Sequence, residues 1–131
     1  VPILNQNLVV LIVEDEVQVA QTLSDALLAT GLVIKPLLAE NGKIALKMIE
    51  TVTPDLLITD GHMSEMTGPE LVVELQGKNF TGQIIAVTGD GTSENGFNEL
   101  GVNLLLKPYR LRQLVELINQ LCPAPSEQIT Q

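Results

Sequence analysis

Three carboxylates, a hydroxyl and an ammonium follow short apolar runs in this chain. Glu14-Asp15 follows Leu8 to Val13, Asp60 follows Leu56-Leu57-Ile58, Thr88 follows Ile84 to Val87, and Lys107 follows Leu104 to Leu106. In an open parallel sheet, ligands bind beyond the carboxyl ends of the strands, where the strand order reverses. These five side chains are therefore expected to meet at one rim. Each has an ordinary reading on its own. Asp60-Gly61 is a common turn pair, Glu14-Asp15 can cap a following helix, Thr88 suits a strand end, and Lys107 suits a solvated surface. Their joint placement at four strand ends is what favours a reactive site.

Charge sharpens that reading. Glu14, Asp15 and Asp60 carry three negative charges, and crowding them raises at least one pKa unless positive charge arrives. Lys107 supplies one unit and a divalent cation two, which balances the cluster. Mg²⁺ suits an all-oxygen site of one or two carboxylates completed by water and a phosphate oxygen, whereas nothing here indicates zinc. Asp60 then becomes a nucleophile toward a phosphoryl group, with the cation, Lys107 and Thr88 stabilising the phosphoryl oxygens. The product is an acyl phosphate.

Such residues need a scaffold that alternates strands with crossover helices, and the hydrophobic pattern predicts one. Leu8 to Val13 is unbroken by polar residues, as a strand buried on both faces should be. From Glu16, Val17, Ala20, Leu23 and Leu27 fall on one helical face, with Gly31 as the stop. Leu32 to Leu38 reads as a second strand, placed at a sheet edge because Pro36 lacks a ladder donor. A helix after Asn41-Gly42 carries Ile44, Ala45, Met48 and Ile49 on its apolar face. Gly68-Pro69-Glu70 opens another, with Pro at the first position and an acid in the first turn. Gly89 to Gly101 leaves room for only a short helix, weakened further by Asn95-Gly96. The last helix carries the stripe Leu111, Leu114, Val115, Ile118 and Leu121. Residues 1–122 are thus expected to form one α/β domain, a doubly wound parallel sheet with helices on both faces, and 123–131 a flexible tail or the start of a linker.

The 131 residues suffice for one domain, and 45% hydrophobic content argues against disorder. With aromatics at 2% and a net charge of −9, neither base stacking nor direct nucleic-acid binding is expected. Cys122 is the single cysteine, so one chain can build neither a disulfide nor a thiolate zinc site. No apolar run reaches the roughly 18 residues of a membrane span. A cytoplasmic protein with no membrane contact is the expectation.

The set Glu14-Asp15, Asp60-Gly61-His62-Met63-Ser64-Glu65-Met66-Thr67-Gly68, Thr88-Gly89 and Lys107-Pro108 resembles the receiver domain of bacterial two-component response regulators over almost the whole chain. The resemblance implies a flavodoxin-like sheet with strand order 2-1-3-4-5. It implies that Asp60 accepts a phosphoryl group from a histidine kinase or histidine phosphotransfer protein. By the same resemblance Asp15, Asp60 and the His62 backbone carbonyl ligate Mg²⁺ with help from Glu14, while Thr88 and Lys107 read the phosphoryl group. A receiver of this kind is a phosphoacceptor rather than a conventional enzyme, a monomer or weak homodimer, and passes its signal to an output partner.

Three departures from the family pattern bear on output. Ser64 stands where the family usually has Pro, and Leu104 where an aromatic usually acts as a rotamer switch. Thr88 to Lys107 spans 19 residues, about three fewer than usual, or close to one helical turn. The fourth helix is therefore expected to be short or irregular. Leu104 and that helix support an alternative, a phosphorylation-independent interaction module on the same fold. Other features carry less. Gly89-Asp90-Gly91 lacks the spacing and charge of a dinucleotide loop. His62 has no partner carboxylate at a recognisable spacing, and Lys107, Arg110 and Arg112 form only a small basic cluster.

Overall fold

Six consecutive aliphatic residues can all be buried only if the strand they form is covered on both faces, and the computed structural model, which describes residues 8–32 and 34–123, shows that arrangement. Strand β1 (Leu8–Val13) lies between β2 (Ile34–Ala39) and β3 (Leu56–Asp60), followed by β4 (Gln83–Thr88) and β5 (Asn103–Leu106). The order is β2-β1-β3-β4-β5, parallel at every pairing. This is the expected flavodoxin-like sheet, with the Pro36 strand at one edge. The order reverses between β1 and β3, so the ends of these two strands border the crevice where such sheets bind ligands.

Helices α1 (Val17–Ala29), α2 (Gly42–Met48), α3 (Gly68–Gly77), α4 (Gly91–Leu100) and α5 (Leu111–Leu121) complete the fold. Alternation along β1 divides the core. Val10 and Ile12 pack with Ala20 and Leu27 of α1 and with Leu114 and Ile118 of α5. Leu11 and Val13 pack with Ala45 of α2 and with Leu71 and Leu75 of α3. A third cluster joins Val72, Ala86 and Phe97 under α4. Each fully buried Leu, Ile or Phe contributes about 1.5–3 kcal/mol of transfer free energy.

Two apolar positions differ from the periodicity. Val17 and Ile44 belong to their predicted stripes, yet they are 57% and 41% exposed. Each sits in the first turn of its helix, where the chain has just left the rim and the helix has not yet settled on the sheet. The strand bounds shift slightly, β2 running to Ala39 and β5 beginning at Asn103. Of the expected tail, residues 124–131 lie outside the described residues.

The fourth helix, expected to be short or irregular, is regular and ten residues long, the same length as α3. Asp90 caps its start by accepting the Thr92 N–H, and Gly101 ends it at φ +72°. Asn95 and Gly96 both lie inside it. A Cβ on Gly96 would stand 2.9 Å from Cγ of Pro69, so the glycine lets α4 pack closely on α3, and that packing overrides its poor helix propensity.

Candidate functional site

The five strand-end residues converge. One carboxylate oxygen from each of Glu14, Asp15 and Asp60 lies within 4.8 Å of the others, and Lys107 Nζ stands 3.4 Å from Asp60 Oδ1. Residues 14, 60 and 107 reach one rim because β1, β3 and β5 are parallel and end at one edge of the sheet.

Glu14 and Asp15 do not act as side-chain caps of α1. The N-cap is Glu16, which makes no side-chain capping bond. Glu14 is buried and its Oε2 accepts the Glu16 N–H at 3.1 Å. Burial pushes its carboxyl from an ordinary 4.5 up to about 7; the charge on Asp60 and the Asp15 side chain add to the rise, while the Glu16 N–H and Lys107 oppose it. Asp15 reaches across to the loop after β3, where its Oδ2 accepts the Ser64 N–H at 3.3 Å. A proline at position 64 would have no hydrogen to donate, so the serine gives Asp15 a partner that the usual residue could not.

Asp60 is asymmetrically held. Its Oδ1 accepts the Gly61 N–H at 2.8 Å and faces Lys107, while Oδ2 has no hydrogen bond among the described residues. The side chain is 16% exposed, enough for a small reagent to reach it. The β3–α3 loop that follows is closed by two devices. Gly68 N–H donates to the Gly61 carbonyl, and Thr67 with Glu70 forms a capping box at the start of α3. His62 lies in this loop with an exposed side chain.

Thr88 is buried at the end of β4, and its Oγ1 accepts the Asp90 N–H at 3.0 Å. Asp90 itself is held below its ordinary value, first by the Ser93 hydroxyl and next by the Thr92 N–H. Lys107 is half-exposed and ion-paired, and the Lys107–Pro108 peptide bond is cis. Tyr109 borders a small cavity with Glu14, Asp60 and Lys107. Burial pushes its phenol up, and the nearby Glu14 charge adds to the shift.

Two site residues escape the strand-end census. Gly61 has no room for a side chain: a Cβ there would lie 2.5 Å from Ser93 Cβ and 2.8 Å from Thr88 Oγ1. Ser93, in the first turn of α4, is buried. Only the glycine immediately after Asp60 hinted at a close approach. Leu104, at the position of the usual aromatic, packs into the cluster of Val72, Ala86 and Phe97, so no ring at position 104 couples to Thr88.

The cluster fits a hard divalent cation. Its donors are all oxygen, Asp15 is partly exposed to water, and three carboxylates share the site with one ammonium. Lys107 is the one ammonium paired with it among the described residues.

Comparison with known proteins gives the same frame. Residues 10–119 match the response regulator receiver domain family. The chain is 32% identical over 124 residues to an uncharacterized 14.6 kDa protein of Leptolyngbya boryana, covering 88% of this chain and 90% of that one. It is 32% identical over 114 residues to the transcriptional regulatory protein CusR of Escherichia coli, covering 85% of this chain and 49% of CusR. Among solved structures, FixJ-N superposes with a TM-score of 0.78 at 26% identity, covering 96% of this chain and 98% of that one. The chain spans about half the length of CusR and a third of YdfI of Bacillus subtilis, another transcriptional regulatory protein that it matches. The sequence, the sheet order and these matches agree: this chain belongs to the response regulator receiver domain family.

Proposed function

We propose that this receiver domain is a phosphoacceptor in which Asp60 takes a phosphoryl group from a phosphohistidine of a histidine kinase or phosphotransfer protein. The observation that carries this is the state of Asp60. One oxygen is held by Gly61 and Lys107, the other makes no hydrogen bond among the described residues, and two further carboxylates stand beside it.

Oδ2 of Asp60 attacks phosphorus, forming the P–O bond as the P–N bond to the donor imidazole breaks. The electron pair leaves with the ring nitrogen, which takes up a proton. Lys107 places its ammonium where negative charge gathers on the phosphoryl oxygens, and the Thr88 hydroxyl donates a hydrogen bond to one of them. Gly61 N–H and Lys107 hold Oδ1, which leaves Oδ2 for the attack. Glu14, Asp15, Asp60 and the His62 carbonyl would hold Mg²⁺, which when bound neutralises charge on the phosphoryl oxygens and the carboxylates. The domain works on its own carboxylate and does not turn over a separate substrate. It then passes the change to an output partner.

The alternative of a module that signals without phosphorylation drew on a short fourth helix and on Leu104. The helix has ten regular residues, as many as α3, which leaves Leu104 as the main support. Incubation with Mg²⁺ and phosphoramidate, followed by intact mass measurement, separates the two. A gain of one phosphoryl group that is absent in Asp60→Asn is expected. An unchanged mass under every small phosphodonor would favour the binding module.

A further inference from the structure

A threonine hydroxyl has one hydrogen to give and lone pairs with which to accept. To serve a phosphoryl oxygen as donor, Thr88 must not spend that hydrogen locally. Its Oγ1 accepts the Asp90 N–H at 3.0 Å, and no acceptor for its own hydrogen is found among the described residues. The Asp90 N–H thus fixes which way Thr88 can donate, and the question becomes what fixes Asp90.

Asp90 is the N-cap of α4, with extended backbone at φ −108° and ψ 123°. Its Oδ1 accepts the Thr92 N–H at 3.2 Å, the usual N-cap bond. Its Oδ2 accepts the Ser93 hydroxyl at 2.9 Å, which an N-cap does not require. Ser93 is only 6% exposed. A buried hydroxyl needs a partner, and this one finds it in the Asp90 carboxylate. Ser93 also meets the phosphoacceptor loop. The point where a Gly61 Cβ would sit lies 2.5 Å from Ser93 Cβ, 2.7 Å from Ser93 Oγ and 2.8 Å from Thr88 Oγ1. Gly61 in turn donates its N–H to Asp60. Contacts and hydrogen bonds therefore run from Asp60 through Gly61, Ser93 and Asp90 to Thr88.

We propose that Ser93 is a positioning residue for phosphoryl transfer, latching the Asp90 turn so that Thr88 donates its hydroxyl hydrogen toward the group arriving at Asp60. The role rests on the phosphoacceptor reading above. It gives the first turn of α4 a part in the chemistry, in a chain whose position 104 carries no aromatic ring.

The test is a double-mutant cycle on the full chain, with phosphoramidate and Mg²⁺, following the rate of mass gain at several donor concentrations. Ser93→Ala is expected to lower the maximal rate about fivefold, as one misaligned hydrogen bond would, with the half-saturating donor concentration unchanged. The double variant Thr88→Ala/Ser93→Ala is expected to be no slower than Thr88→Ala alone, because Ser93 acts through Thr88. Should Ser93→Ala fail to fold, Ser93→Cys, similar in size and a weak donor, takes its place in the cycle. A wild-type rate in the Ser93 variant, or losses that multiply in the double variant, would overturn the role while leaving Asp60 as phosphoacceptor. A wild-type protein that gains no mass overturns the phosphoacceptor reading and this role with it.

Discussion

At the scale of single residues, the proposed phosphoacceptor site divides its tasks among groups that could not share them. Asp60 keeps one oxygen bound and the other without a hydrogen bond among the described residues, while Lys107 supplies positive charge from a half-exposed position. An exposed lysine contributes little to stability, so Lys107→Ala should shift the unfolding free energy by no more than about 0.5 kcal/mol while slowing phosphoryl transfer. Chemical denaturation and the rate of mass gain measure the two effects separately. Glu14 makes a pH prediction. Its folded pKa of about 7 exceeds the unfolded value, so between pH 4.5 and 7 the native state holds a proton that the unfolded state has lost. Stability in the absence of divalent cations should fall as pH rises through that window, by at most about 1.4 kcal/mol per pH unit, and level off above it. Glu14→Gln should flatten the profile, as urea titrations in chelator would show. Glu14, Asp15, Asp60, Thr88 and Lys107 were readable in the sequence because each follows an apolar run. Ser93 was not, since its burial depends on how close α4 comes to Gly61, a distance that helical periodicity does not encode.

At the scale of elements, α3 and α4 meet through residues chosen for what they lack. Gly96 gives up helix propensity so that the Pro69 ring can approach. In most helices Gly→Ala stabilises by roughly 0.5–1 kcal/mol. Here the added Cβ would press on a rigid ring at 2.9 Å, so Gly96→Ala should lower the melting temperature instead of raising it, as calorimetry can establish. The short spacing from Thr88 to Lys107 and the asparagine–glycine pair predicted a short or irregular fourth helix because neither spacing nor propensity reports packing against α3. The Asp90 cap, the Gly101 stop and the packing against α3 were decisive. The same limit explains Val17 and Ile44, whose periodicity matched a buried face but whose first-turn position left them exposed.

For the whole molecule, sheet order turns distant sequence into one chemical rim. Pro36 alone placed β2 at an edge, and the unbroken apolar run of β1 placed it inside; the parallel connections then brought the ends of β1, β3 and β5 together. Helices pack on both faces of that sheet. Leu114→Ala, which empties a fully buried position in α5 beneath β1, should cost about 2–5 kcal/mol by denaturation while leaving the acidic cluster intact in any protein that stays folded. Among the described residues no helix is long and apolar enough to cross a membrane. The most direct test of the account is to phosphorylate the chain, reduce the acyl phosphate with borohydride, and locate the modified residue by peptide mass spectrometry. Reduction should convert Asp60 to homoserine and leave Asp15 and Glu14 unchanged; label at another carboxylate, with Asp60 intact, would contradict it.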